Sequence, residues 1–246
     1  MQIFKDKVIL ITGANRGIGK SLVKALLHTG VRKVYATCRD LNKMPTFDDD
    51  RVVTLSLDIT DDRQIAAVAA VALDTEILIN NAGTVDPGNM LEGDLTGMQR
   101  DMQVNYFGTI TMMRAFAPIL RKNKPSAIVN IVSIAAYSPL PSIAGYAASK
   151  AALFSATQAV RIELGKEDVA VYAVNPGAID TDMNRGSDWD MPDSDSTAVR
   201  IVEHIANGEL DSVPDTMGQG MYQAWREDPS KLSGIFSDLY HATPIH

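Results

Sequence analysis

Tyr146 and Lys150 stand four residues apart in Gly145-Tyr146-Ala147-Ala148-Ser149-Lys150, and Ser133 lies thirteen residues before the tyrosine. The alanine-rich run predicts a helix, which sets Tyr146 and Lys150 on one face. A phenol titrates near pKa ~10. It works as a base near neutral pH only if its anion is stabilised, and an ammonium beside it does that. Lowering the pKa by three units takes about 4 kcal/mol of differential stabilisation. A serine hydroxyl close by would hold a substrate oxygen while the phenol gives or takes its proton. Alone, a tyrosine and a lysine at helical spacing are more often a surface pair than a catalytic one. The weight of the pattern comes from the elements around it.

Those groups need rigid elements to hold them. Residues 8–11, Val-Ile-Leu-Ile, predict a buried strand that is β-branched, short and stopped by Gly13. Residues 17–29 predict a helix with Leu22, Ala25 and Leu26 on one face. Further strands are expected at 34–37, 52–57, 77–80, 128–132 and 169–174, and helices over 61–72, 96–121, 143–164 and 195–207. Apolar strands separated by helices imply a parallel sheet covered on both faces, with right-handed crossovers. No linker-like stretch divides the chain, so residues 1–246 are expected to form one domain. Ser133 closes one strand and Asn80-Asn81 another, at the strand ends where such sheets bind ligands.

Residues 180–195 break the alternation. They carry Asp180, Asp182, Asp188, Asp190, Asp193 and Asp195, with Gly186 and Pro192. This stretch reads either as a solvated loop or as the start of a mobile substrate lid, residues 180–210. Met183, Trp189 and Met191 would give such a lid apolar contacts, with Tyr137, Pro139 and Leu140 on the opposite wall. A last strand is expected at Gly218-Gln219-Gly220-Met221-Tyr222.

Thr12-Gly13-Ala14-Asn15-Arg16-Gly17-Ile18-Gly19 joins the first strand to the first helix. This G-x-x-x-G-x-G spacing is a variant of the dinucleotide fingerprint. Glycines let the backbone approach a pyrophosphate, and the helix N-terminus offers it unpaired N–H groups and partial positive charge. The end of the second strand should reach the adenosine ribose. Cys38 stands where NAD binders usually carry an acid, and Arg39 follows. Arg39 together with Arg16 suits a 2′-phosphate, which favours NADP(H) over NAD(H). Asp40 keeps the NAD(H) reading open, and a lone arginine at a strand end is ordinarily just solvated.

Composition excludes several classes. The chain has 246 residues, 46% of them hydrophobic, and a net charge of −7. That charge gives no electrostatic grip on nucleic acid or an anionic membrane, so neither is an expected partner. No run approaches the roughly 20 apolar residues that cross a bilayer. Cys38 is the only cysteine, so no intrachain disulfide can form. With early charges at Lys5, Asp6 and Lys7, this fits a cytoplasmic protein better than a secreted one. His28, His204, His241 and His246 are scattered, and the acidic stretch 188–195 lacks the pattern of a calcium loop, so no metal is expected. Ser133 precedes Ile134-Ala135-Ala136 and lacks the flanking glycine of a hydrolase nucleophile.

Assembled, these residues resemble the short-chain dehydrogenase/reductase family over nearly the whole chain. The matching elements, in the family's order, are the Thr12–Gly19 loop, Asp58, Asn80-Asn81-Ala82-Gly83, Asn105, Ser133, Tyr146 with Lys150, and Pro176-Gly177 with Thr181. The resemblance implies an α/β fold, a single Rossmann-like doubly wound parallel sheet with helices on both faces. Gly13, Asn15, Arg16, Gly17, Ile18, Gly19 and Arg39 would hold the cofactor. Asp58 and Ile59 would contact adenine, and Asn81, Ala82 and Gly83 would line the adenosine side and steady the sheet. Pro176, Gly177, Ile179 and Thr181 would frame the nicotinamide. Tyr146 would exchange the proton, Lys150 would lower its pKa and hold the ribose, Ser133 would orient the substrate, and Asn105 would anchor a water leading to Lys150. Ser133, Tyr137, Tyr146 and Met183 are expected to touch the substrate. The implied activity is NADP(H)-dependent reduction of a small-molecule ketone or aldehyde. The alternatives are NAD-dependent alcohol oxidation by the same residues and a non-catalytic dinucleotide sensor. Such proteins usually form homodimers or homotetramers through helices near 96–121 and 143–164. Two departures stand out. The tail 211–246 does not match the family's commonest ending, and the segment after Glu76 runs almost directly into the fourth strand. They leave the substrate-facing rim and the oligomer contacts unassigned.

Overall fold

The computed structural model describes residues 2–242, so His246 lies outside the described residues. Seven strands are β1 (Val8–Thr12), β2 (Lys33–Cys38), β3 (Val52–Ser56), β4 (Ile77–Asn80), β5 (Ser126–Ile131), β6 (Val169–Val174) and β7 (Asp211–Ser212). They form one parallel sheet in the order β3-β2-β1-β4-β5-β6-β7. The helices are α1 (Gly17–Leu27), α2 (Asp62–Val71), α3 (Leu95–Asp101), α4 (Thr109–Lys122), α5 (Ala144–Leu164), α6 (Ser194–Ala206), α7 (Thr216–Glu227) and α8 (Pro229–Ala242).

Alternation along the strands builds two cores. In β1, Ile9 and Ile11 face one side with Leu22 and Leu26 of α1 and Ile201 and Ile205 of α6. Val8 and Leu10 face the other, against Ile65 of α2, Met112 and Phe116 of α4 and Leu164 of α5. Both faces being covered explains why the inner strands read as unbroken apolar runs.

Strand order reverses between β1 and β4. The chain runs outward from β1 to β3, then returns to the centre and runs outward the other way. Loops leaving β1 and β4 therefore diverge to opposite faces and open a crevice at the strands' C-terminal ends.

Three expectations need correction. The helix predicted over 96–121 is interrupted: a π-helical turn, Met102–Gly108, separates α3 from α4. The strand expected at 218–222 is part of α7. Asp215 caps that helix by accepting from the Gly218 N–H at 2.7 Å, and Met221, Tyr222 and Trp225 turn one apolar face inward. The terminal strand is instead the two-residue β7, paired with β6. The lid drawn to residue 210 is too long. Asp193 caps α6, accepting from Ser196 N–H at 2.8 Å, and Ala198, Ile201, Val202 and Ile205 anchor that helix in the core. Only the preceding stretch, with a 3-10 turn at Asp182–Asn184, is left to overhang the crevice.

Among the described residues no helix is long and apolar enough to cross a membrane. Also among them, no cluster of three His, Cys, Asp or Glu side chains could hold a metal ion.

Candidate active site

One cleft of about 1870 Å³ runs along the C-terminal ends of the strands. It is lined at one end by Gly13, Asn15, Arg16, Gly17, Ile18, Gly19, Arg39, Asp58 and Ile59. Asn81, Ala82 and Gly83 line its middle, with Ser133, Tyr146, Lys150, Pro176, Gly177, Ile179, Thr181 and Met183 beyond.

The β1–α1 loop is shaped for close backbone approach. Gly13 and Gly17 have φ of +68° and +49°, in the left-handed region. A Cβ on Gly19 would sit 2.2 Å from the Gly13 carbonyl oxygen and 2.4 Å from Asn81 Nδ2. Four helices, α2, α3, α6 and α7, begin with an aspartate that caps their free N–H groups. Before α1, Arg16 stands at the capping position and its side chain makes no cap. The unpaired amides of α1 face the cleft, and a bound pyrophosphate would fill them. The loop is held from behind by Asn81, whose Nδ2 donates to the Thr12 and Gly13 carbonyls at 2.9 and 3.0 Å. Thr12 Oγ1 accepts from the Asn81 and Ala82 N–H groups, both at 3.0 Å. These residues fit a dinucleotide.

At the end expected to take adenosine Arg39 is exposed and Asp40 lines the cleft beside it; the Asp40 carboxylate accepts from Asn42 N–H at 3.1 Å to cap the turn Leu41–Lys43 and lies 4.0 Å from Lys43 Nζ. Lys43 also lines this end, a cation that sequence reading passed over because nothing local marks it. Arg16 leans toward the overhang, with Nη1 3.5 Å from Asp182 Oδ2. Asp58 Oδ1 accepts from the Thr60 N–H and hydroxyl at 2.9 and 2.7 Å.

The groups expected to react meet at the centre. Lys150 is 4% exposed, donates to the Ile131 carbonyl at 2.8 Å, and holds its Nζ 5.6 Å from the Tyr146 ring centroid. Burial pushes Lys150 down to about 8, with the charge of Asp101 acting against it. Burial pushes the Tyr146 phenol up to about 12, opposed by the Ser133 hydroxyl. The expected lowering of the phenol's pKa by the lysine is therefore not seen: desolvation dominates, and the group acting against it is Ser133. Ser133 Oγ accepts from Ala135 N–H at 3.1 Å, lies 3.5 Å from the Pro176 carbonyl, and is also the hydroxyl that acts on the Tyr146 phenol.

Asn105 is fully buried in the π-helical turn. Its Oδ1 accepts from Thr84 N–H at 2.8 Å, and its Nδ2 donates to Thr84 O and Ser149 Oγ, both at 2.9 Å. The side chain is a strut between the β4 loop and α5. Tyr137 corrects another expectation: it is absent from the cleft wall. Its ring packs 4.7 to 5.2 Å from those of Trp225, Phe154 and Tyr222, where burial raises its pKa. Leu140, Ser142 and Ile143 line the cleft in its place.

Two further residues escaped sequence reading. Asp215 accepts from Gly177 N–H at 2.8 Å with one oxygen while capping α7 with the other, tying the Pro176-Gly177 turn to the tail. Its position just before a helix is a capping signal, but nothing local points it at residue 177. Asp101, buried in α3, is the other.

The family profile described as short chain dehydrogenase matches residues 7–191. The chain belongs to the short-chain dehydrogenase family. It is 32% identical to an uncharacterized oxidoreductase of Staphylococcus saprophyticus, over 75% of this chain and 83% of that one. It is also 32% identical to the human 17-beta-hydroxysteroid dehydrogenase type 2, across 96% of this chain but only 64% of that protein. Among solved structures, a short chain dehydrogenase from Burkholderia cenocepacia in complex with NADP superposes with a TM-score of 0.90 at 38% identity, covering 95% and 98% of the two chains. A 3-ketoacyl-(acyl-carrier-protein) reductase from Brucella melitensis complexed with NADH gives 0.78 at 26% identity, covering 86% and 98%. As a member of this family the chain is an oxidoreductase, and its parallel sheet and open glycine loop are those of a dinucleotide binder.

Gly19→Ala tests the cradle. A methyl group 2.2 Å from a carbonyl oxygen must displace the loop. The expected outcome is a dinucleotide affinity reduced by at least about tenfold, or roughly 1.4 kcal/mol, read by nicotinamide fluorescence.

Proposed function

We propose that this protein reduces a ketone or aldehyde to an alcohol with NADPH. The observation that carries the reading is the meeting of Ser133, Tyr146 and Lys150 in the wall of a dinucleotide-shaped cleft, with Ser133 and Lys150 buried and Tyr146 half-buried. Bound there, the cofactor would supply the hydride. Tyr146 gives its phenolic proton to the carbonyl oxygen as the carbonyl carbon becomes tetrahedral. Ser133 donates a hydrogen bond to that oxygen and fixes its direction. Lys150 spends one N–H on Ile131, which leaves the others for a ribose hydroxyl, and its positive charge favours the phenolate left after transfer. Pro176, Gly177, Ile179 and Thr181 bound the nicotinamide's space, and Asp58 and Ile59 that of adenine. The raised pKa of Tyr146 supports the reductive direction, because a neutral phenol is the form that donates.

NADP(H) is the preferred cofactor in this reading. Cys38 provides no carboxylate for a ribose 2′-hydroxyl, Asp40 is engaged by its own turn and by Lys43, and Arg39 offers a guanidinium at that end that is unpaired among the described residues. The Burkholderia cenocepacia relative was solved with NADP, in agreement. A homo-oligomer is proposed as well: Phe107 and Ile162 stand exposed on the π-helical turn and α5.

Tyr146→Phe is expected to lose nearly all turnover, by about 10²-fold or more, while binding NADPH normally. Retained turnover, followed at the nicotinamide absorbance band, would sink the mechanism. Arg39→Ala should raise Kd for NADPH by about tenfold or more and leave NADH within about twofold, since a charge-assisted phosphate contact is lost only for the former. Equal losses for both dinucleotides, measured by titration, would remove the phosphate assignment.

A further inference from the structure

Past Tyr146 and Ser133 the cleft changes character. Its wall there includes Leu140 and Ile143 before α5, Trp189 of the overhang, Met221 of α7, and Phe236 and Tyr240 of α8. These six belong to one apolar cluster closed by the tail helices. Cations that line the cleft are committed elsewhere. Arg185 and Arg16 pair with Asp182, Arg100 pairs with Asp86, Lys150 serves the reacting centre, and Arg39 and Lys43 lie at the adenosine end. Asp182 and Asp188 line the overhang and repel anions. An anionic substrate would lose its hydration here without gaining a counter-charge.

We infer that the substrate is an uncharged ketone carrying a ring-sized apolar body, which rests on the carbonyl-reduction reading above. The body would sit against Leu140, Met221 and Phe236, with its carbonyl reaching Ser133 and Tyr146. The test is steady-state NADPH oxidation with acetophenone, 4-acetylbenzoate and acetone. Acetophenone should give a kcat/KM at least about tenfold above either of the others, since an apolar pocket discriminates by that much or more per missing group. Met221→Lys should move 4-acetylbenzoate up relative to acetophenone. Turnover of the carboxylate or of acetone equal to acetophenone would overturn the substrate class and leave the reductase reading standing. Bound NADPH with no turnover of any ketone would overturn both.

A carboxyl with no exposure, Asp101, lies behind the reacting groups. Both its oxygens accept from the Asp86 N–H, at 3.1 and 3.2 Å. Met98, Asp101 and Asn105 follow at three- and four-residue intervals and share a face toward α5. Met98 packs where a Cβ on Gly145 would lie 2.8 Å away, and Asn105 bonds Ser149. Asp101 sits between these two contacts, beside the turn that carries Tyr146 and Lys150. The charged groups acting on it are Asp86 from the β4 loop, Arg100 from its own helix, and Lys150 from α5; its own charge acts on Tyr146.

We propose that Asp101 is a positioning residue, the buried counter-charge that keeps Lys150 protonated. Burial holds the lysine near 8 and the aspartate near 6, and each charge favours the other. Asp101→Asn keeps the shape and removes the charge. The alkaline limb of the reduction rate should then move to lower pH by about one unit, with turnover at pH 6 little changed and Asp101→Glu restoring the limb. Superimposable pH profiles for wild type and Asp101→Asn would overturn the assignment. Carbon-13 carboxyl titration gives a check that does not depend on that variant folding. The Asp101 signal should titrate near pH 6 and rise further in Lys150→Met; an unmoved titration would equally overturn it.

Discussion

Everything in the cleft depends on how the end of β4 is fastened to the end of β1. These neighbours run parallel at the centre of the sheet, where the chain reverses its direction of growth. Their loops part at that point, and the gap is the crevice. Asn81 bridges it, gripping the Thr12 and Gly13 carbonyls, while Thr12 returns bonds to Asn81 and Ala82. The grip keeps the glycine loop open with no side chain of its own. It also fixes Gly83, which passes so close to Asn105 and Lys150 that a Cβ there would stand 3.1 and 3.6 Å away.

The chemistry follows from burial. Tyr146 and Lys150 are both withdrawn from water, and desolvation drives each toward its neutral form. A site left to desolvation alone would hold no charge near neutral pH. Set against that tendency are the Ile131 carbonyl and the Asp101 carboxyl for the lysine and the Ser133 hydroxyl for the phenol, while the charge of Asp101 adds to the phenol's neutrality. Arranging them takes three elements that are distant in the chain: β5, the π-helical turn with α3, and α5. The π turn is where Asn105 makes its three side-chain bonds to Thr84 and Ser149.

The tail completes the molecule on the substrate side. α7 and α8 cover the outer end of the cleft with Met221, Phe236 and Tyr240 and pull Tyr137 away from it into an aromatic stack. Asp215 then couples this cover to the Pro176-Gly177 turn. The surface proposed to meet the substrate and the turn expected to frame the nicotinamide are thus joined through one carboxylate.

Much of this was legible in the order of residues. Buried parallel strands announce themselves as short β-branched runs, the glycine loop falls between the first strand and first helix, and Tyr146 and Lys150 share a helix face at any register. Such features depend on local periodicity and on backbone conformations that only certain residues adopt. Residues 218–222 misled because two glycines and an aromatic resemble a strand end, and only the cap from Asp215 and the apolar cluster make the segment helical. Tyr137, Lys43 and Asp101 have no local signature at all. Whether Tyr137 faces the cleft, where Lys43 reaches, and which charge Asp101 answers are decided by distant segments packing together. Sequence by itself determined the sheet, the dinucleotide loop and the types of reacting group, because those are short-range. Tertiary structure alone decided the shape of the substrate end and the balance of charge behind the tyrosine, because burial and Coulomb interaction depend on distance in space and not along the chain.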